Sequence, residues 1–171
     1  DADGWDRTVT TAMEMFPDTA FLVSSGDQVN TAYNLQQYEG WFSPEALTAY
    51  PIIPIVGNHD AASFADYFNV PNETGLGGDS EGSDFYFSYG NTLFMALNSQ
   101  SSDVEEHRKA MERAIAANPD ATHRIVLLHK SLYSSADHAL DEDVLAFRDE
   151  LVPVFDELDI DVALMGHDHV Y

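Results

Sequence analysis

The stretch Ile52-Ile53-Pro54-Ile55-Val56-Gly57-Asn58-His59-Asp60 runs apolar for five residues and then turns, at a Gly, into side chains that bind cations. Three other segments have the same grammar. Phe21-Leu22-Val23 leads to Gly26-Asp27, Ile125-Val126-Leu127-Leu128 leads directly to His129, and Val162-Ala163-Leu164-Met165 leads to Gly166-His167-Asp168-His169. Short apolar runs with Gly or a ligand at their ends read as buried strands. In an open α/β sheet, ligands gather beyond the carboxyl ends of the strands. A carboxylate, an amide oxygen and several imidazoles suit Zn, Mn or Fe, whereas Ca and Mg prefer all-oxygen shells. Taken singly, an Asp after Gly, an Asn in a turn or a His at a strand end has a bland structural explanation. Four such endings in one chain point to a metal centre.

The remaining segments read as alternating helices and strands. Val9, Met13 and Phe16 share a helical face after Asp6, and Pro17 ends it. Residues 35–50 predict a helix interrupted near Phe42-Ser43-Pro44, and residues 61–68 a short helix. Pro54 cannot donate to a ladder, which places residues 52–56 at an edge or a bulge. Residues 70–83 carry Pro, Gly and acids and predict a mobile loop. Gly90-Asn91 between residues 84–89 and 92–98 predicts a hairpin, with Phe85, Phe87 and Tyr89 on one face. Ser102 and Asp103 are candidate caps for a helix over 103–118, and residues 141–158 predict a helix with a kink or restart at Pro153. The expected class is α/β: a layered α/β sandwich with mixed sheets and flanking helices. No linker or internal repeat divides the 171 residues.

Thirty acids against seven bases give a net charge of -23. Such a surface repels nucleic acid and anionic membranes, and no apolar run approaches the ~20 residues of a membrane span. It also repels phosphate, so any anion site needs local positive charge from metal ions and His. The chain has no Cys, which excludes a thiolate zinc cluster. There is no Gly-x-Ser-x-Gly elbow and no Gly-rich phosphate loop. The sequence starts at Asp1-Ala2-Asp3 and ends within a motif at Tyr171, and it reads as an interior piece of a longer protein.

Together, Ser25-Gly26-Asp27-Gln28-Val29-Asn30, Gly57-Asn58-His59-Asp60, Val126-Leu127-Leu128-His129 and Gly166-His167-Asp168-His169-Val170-Tyr171 resemble the calcineurin-like metallophosphoesterases, and best the purple acid phosphatase-like branch. His138, nine residues after His129, matches a substrate-binding His of that branch. The resemblance implies a core of the metallophosphoesterase type over residues 1–171. It implies hydrolysis of phosphate monoesters by a metal-bound hydroxide at a dinuclear site. Asp27 would bridge two transition metals (Fe, Zn or Mn), with Asn58, His129 and His167 on the second and His169 on the first. His59 and His138 would contact the phosphate, one of them protonating the leaving group. The same resemblance implies an extracellular or cell-surface protein acting on a phosphorylated small molecule.

Two departures stand out. The family's first motif, an Asp ending the first strand, has no match, because Asp1, Asp3 and Asp6 end no hydrophobic run. That first strand and the strands following the last motif are expected to lie outside this piece, which would then hold a single metal. Asn30 also stands where purple enzymes carry a Tyr, so no phenolate-to-iron colour is expected. A phosphodiesterase, a nucleotide pyrophosphatase or a non-catalytic surface module keeping the fold remain the alternatives.

Overall fold

Apolar side chains at alternate positions in residues 92–97 and 123–128 face two different layers, and this two-sidedness organises the chain. The computed structural model describes residues 2–78 and 82–170. Asp1, residues 79–81 of the expected loop and Tyr171 lie outside them. The elements run α1 (Ala2–Met15), β1 (Leu22–Ser24), α2 (Leu35–Phe42), β2 (Ile52–Pro54), α3 (Phe64–Tyr67), β3 (Phe85–Tyr89) and β4 (Thr92–Leu97). They continue with α4 (Val104–Ala117), β5 (His123–Leu128), α5 (Glu142–Glu157) and β6 (Val162–Leu164), and 3-10 turns cover Glu45–Thr48 and Ala61–Ser63. The fold is α/β, with mixed sheets flanked by helices. No described helix is long and apolar enough to cross a membrane.

Among the described residues the larger sheet has the order β3-β4-β5-β6, with β3 antiparallel to β4 and the rest parallel. The β3–β4 hairpin turns at Gly90, whose φ of +60° suits a residue without Cβ. One face of this sheet presents Tyr86, Leu93, Met95, Leu97, Val126 and Leu128. It packs against Met111 and Ala114 of α4 and Phe147, Leu151 and Val154 of α5. The other face presents Phe85, Ala96 and Leu127 to Ile53 and Ile55. Phe21 sets its ring edge-on to Phe87, Tyr89 and Phe94 at 5.4 to 5.5 Å. β1 and β2 form a separate parallel pair in which Ser24 aligns with Pro54. β2 has no second described neighbour, so Pro54 deprives no ladder of a donor, as expected of an edge.

Three expectations need correction. β1 and β6 are not buried strands: Val23 is 38% exposed, Val162 43% and Leu164 47%. Each pairs with a described strand on one side only, so one flank and part of a face remain open. The first helix begins at Ala2, because Trp5 stacks on Trp41 at 6.0 Å and bonds its carbonyl, anchoring an extra turn. Asp3 and Asp6 therefore lie in a helix, in keeping with the expectation that neither ends a strand. Finally, the loop before β3 is tied down in its described part. Thr74 N bonds Asp84 O, Gly75 N bonds Ser83 Oγ, and Gly77 N bonds a Glu106 carboxylate oxygen.

His107 and Asp84 supply the central polar lock of this region, both buried. His107 Nδ1 donates to Asp84 Oδ2 at 2.7 Å and Nε2 to the Ser101 carbonyl at 3.1 Å. Burial opposes charge on this ring, yet the Asp84 bond and field raise the His107 pKa above its ordinary value. Asp84 Oδ1 accepts from Asn98 N, so one carboxylate joins the loop, β4 and α4.

Candidate metal centre

The carboxyl ends of β1, β2, β5 and β6 deliver Asp27, Asn58, His129 and His167 to one point. His129 leaves β5 directly and is buried. Its Nδ1–H donates to the Ser25 carbonyl oxygen at 2.7 Å. That bond fixes the tautomer and turns Nε2 toward the other three. Nε2 lies 2.9 Å from Asn58 Oδ1, 3.4 Å from Asp27 Oδ2 and 3.1 Å from His167 Nδ1.

With Nδ1 carrying the proton, neutral His129 offers a bare lone pair at Nε2. It faces a carboxylate oxygen and, within hydrogen-bond distance, an amide oxygen. Converging lone pairs repel unless a cation lies among them. In the metal-free protein a proton takes that role. Burial disfavours charge on His129, but the bonds to Asp27 and Ser25 prevail and raise its pKa. Burial likewise pushes Asp27 up, and the His129 bond and the His59 amide outweigh it and hold the carboxyl below its usual range. Burial and the neighbouring His129 and His138 lower His167, which favours the neutral ring a metal binds.

The donor set fits a metal ion. Asp27, His129 and His167 each offer a ligand atom within 4.8 Å of the others. Atoms bonded to one ion at about 2.0–2.2 Å from it stand roughly 3 Å apart, and His129 Nε2 lies 3.1 Å from His167 Nδ1 and 3.4 Å from Asp27 Oδ2. The Ser25 carbonyl on the far nitrogen of His129 is the outer partner that orients metal-binding imidazoles.

Glycines and one acid let the loops approach. Gly26 has φ +98°, and a Cβ there would stand 2.3 Å from His129 Nδ1. A Cβ on Gly57 would stand 2.2 Å from Asp27 N and Oδ1. Asp60, fully buried, accepts from Gln28 N at 2.7 Å and Gly57 N at 2.8 Å and so clamps the two ligand loops together. Desolvation raises its pKa despite those bonds. Asp27, His167 and His169 have φ of 52°, 74° and 54°, a region non-glycine residues enter at a cost, and such strain clusters at functional sites.

The remaining expected site residues lie around the same cleft of about 330 Å³, lined by Asp27, Asn58, His59, Asp137, His138, His167, Asp168 and His169. His59 donates its backbone N–H to Asp27 Oδ1 at 3.0 Å and its Nδ1–H to the Asn30 carbonyl at 3.0 Å. His138 donates Nδ1–H to Asp141 Oδ2 at 2.7 Å and stacks on His167 with ring centroids 4.2 Å apart. The Asp141 bond, foremost, raises the His138 pKa. His169 is exposed and stands outside the Asp27–His129–His167 group. The lining contains no Lys or Arg. A phosphate there needs charge from a bound cation or from imidazolium.

Two residues escaped sequence reasoning. Asp60 had a signal: an Asp three residues after a Gly that must be held close to another loop. Asp168 had none, since nothing local shows that its two carboxylate oxygens end up shut off from solvent without a partner.

A sequence model of the calcineurin-like phosphoesterase family matches residues 3–171. Two curated relatives from Mycobacterium tuberculosis are also similar, the uncharacterized proteins MT2654 of strain CDC 1551 / Oshkosh and Rv2577 of strain ATCC 25618 / H37Rv. Each is 23% identical over 164 residues, a match covering 80% of this chain and 31% of the relative. The chain thus spans about a third of the length of the curated relatives it matches.

Proposed function

We propose, on the premise that the chain belongs to the calcineurin-like phosphoesterase family, that it carries the metal-binding core of a phosphomonoesterase of the purple acid phosphatase-like branch. The family is one of metal-dependent phosphoesterases that use divalent ions. The observation that carries the reading is the convergence of Asn58 Oδ1, Asp27 Oδ2 and His167 Nδ1 on His129 Nε2.

In this reading Asp27, Asn58, His129 and His167 hold one transition metal, and Asp27 with His169 contributes to a second. When bound, such ions supply Lewis acidity and positive charge that favour in-line displacement at phosphorus. The chain's own residues do the rest. The Ser25 carbonyl keeps the His129 proton on Nδ1, so Nε2 always faces the site. Asn30 and Asp141 each hold Nδ1 of a cleft histidine, which leaves Nε2 of His59 and of His138 as the atom free to exchange a proton. His138, its charge favoured by Asp141, is suited to hold a terminal phosphate oxygen or to protonate the leaving oxygen. The absence of Lys and Arg from the cleft makes these imidazoles the protein's only cationic contribution among the lining residues.

A terminal phosphate gives two cleft histidines more oxygens to hold than a diester does, which favours monoesters. The substrate is then a phosphorylated small molecule, met outside the cell or at its surface. Comparing turnover of p-nitrophenyl phosphate and bis-p-nitrophenyl phosphate by the full-length, metal-loaded protein tests this. A preference for the monoester is expected. A clear preference for the diester contradicts it.

A further inference from the structure

Asp168 stands between the two histidines of the last loop, and both its carboxylate oxygens are shut off from solvent with no hydrogen-bond partner among the described residues. The residue as a whole is half-buried at the cleft, but buried polar atoms are ordinarily hydrogen-bonded, and two oxygens left without a partner call for an explanation such as an ion. The surroundings supply one. His138, His167 and Asp168 each offer a ligand atom within 4.8 Å of the others, a group that shares only His167 with Asp27–His129–His167.

The residue that orients His138 strengthens the case. Asp141 occupies the N-cap position of α5, where an Asp side chain normally accepts a backbone N–H, yet it makes no capping bond. Its carboxylate goes to His138 Nδ1 instead, at 2.7 Å. A carboxylate on one nitrogen of an imidazole, leaving the other to face outward, is the outer arrangement of metal-binding histidines. An orphaned carboxylate and an oriented imidazole thus meet beside His167.

We propose that His138, His167 and Asp168 form an accessory site for a borderline-soft divalent cation such as Zn²⁺, and that this site competes with the Asp27-centred one for His167. Two imidazoles and one carboxylate match zinc's donor preference and disfavour Mg²⁺. The competition rests on the proposed function in assigning His167 to both sites. Binding itself rests on the geometry of His138 and Asp168. Excess Zn²⁺ would therefore draw His138 and His167 away from their other duties and inhibit the protein.

The test is calorimetric titration of Zn²⁺ into the full-length protein, with hydrolysis of p-nitrophenyl phosphate followed over the same range. The expected result is a weaker Zn²⁺ equivalent beyond the tight binding, with inhibition appearing as it fills. Asp168→Asn should weaken that equivalent at least tenfold and move inhibition to correspondingly higher Zn²⁺, leaving the tight equivalent in place. Asp141→Asn, which frees His138 without touching the cation, should weaken the same equivalent and serves if Asp168→Asn does not fold. An unchanged weak equivalent in a folded variant overturns the proposal, as does equal binding of Mg²⁺. Loss of the tight equivalent is read separately, in Asp27→Ala, and bears on the proposed function alone.

Discussion

His129 Nδ1 lies 2.7 Å from the carbonyl oxygen of Ser25, a bond that joins positions 104 residues apart in the chain. It links the end of β5 to the end of β1 and decides which nitrogen of His129 faces the site. Because the acceptor is a backbone oxygen, no exchange of the Ser25 side chain removes it. With His129 in place, a change in the path of residues 25–27 is what can break the bond.

Gly26→Ala makes that change. The residue sits at φ +98°, and the new Cβ would fall 2.3 Å from His129 Nδ1. Backbone strain of about 1–3 kcal/mol is expected, together with displacement of the His129 ring. Thermal unfolding and metal affinity should fall together. An Ala variant with wild-type affinity would show that the ring has room.

Asp60→Asn tests the clamp between the ligand loops. An amide can present one oxygen where the carboxylate presents two, so either Gln28 N or Gly57 N loses its acceptor. An unsatisfied buried donor costs about 1–3 kcal/mol. Metal affinity should drop by roughly 10–100-fold, the range typical of residues that support ligands without touching the metal. Denaturant titration and metal competition read the two effects independently.

The His107–Asp84 pair predicts a pH dependence of stability. The folded-state pKa of His107 is raised, so its contribution is full below its unfolded value near ~6.5 and is lost as pH rises through the folded value. Burial raises Asp84 as well, and a carboxyl raised in the folded state also gives up stability as pH rises through its folded value, so it acts in the same direction. Metal-free protein should therefore lose stability from neutral to alkaline pH. His107→Gln should flatten that slope, and His107→Ala, which strands a buried carboxylate, should cost about 3–5 kcal/mol. Urea unfolding at several pH values measures both.

His138→Ala is expected to lower turnover of a phosphate monoester while the tight metal stays bound, since His138 stands outside the Asp27–His129–His167 group. General acid–base contributions of about 10²–10⁴-fold set the scale. Elemental analysis beside the kinetics separates the roles. Loss of the tight metal would make His138 a ligand of that metal and not a substrate contact.

The site was more legible in the sequence than the depth of its strands. Asp27, Asn58, His129 and His167 each follow an apolar run, and a strand end is a local feature that pattern alone reveals. How deeply a strand is buried depends on its neighbours, so Val23 and Leu164 looked like core and lie at open edges. The reach of α1 back to Ala2 depends on the Trp5–Trp41 contact across 36 residues, which no periodicity within residues 7–16 encodes. Gly26 and Gly57 read as strand stops, and folding adds that both must lack a Cβ to bring two loops together. Asp168 is the extreme case. Flanked by two histidines it looks like a solvated acid, and only tertiary packing leaves its oxygens without a partner.

The most direct test of the metal centre is transition-metal content per chain, measured by elemental analysis of full-length protein purified without chelator, beside Asp27→Ala. Wild type should retain at least one equivalent, and the variant should lose it while remaining folded. Undiminished metal in Asp27→Ala, or none in folded wild type supplied with zinc, manganese and iron, would contradict the assignment of Asp27, Asn58, His129 and His167 as its ligands.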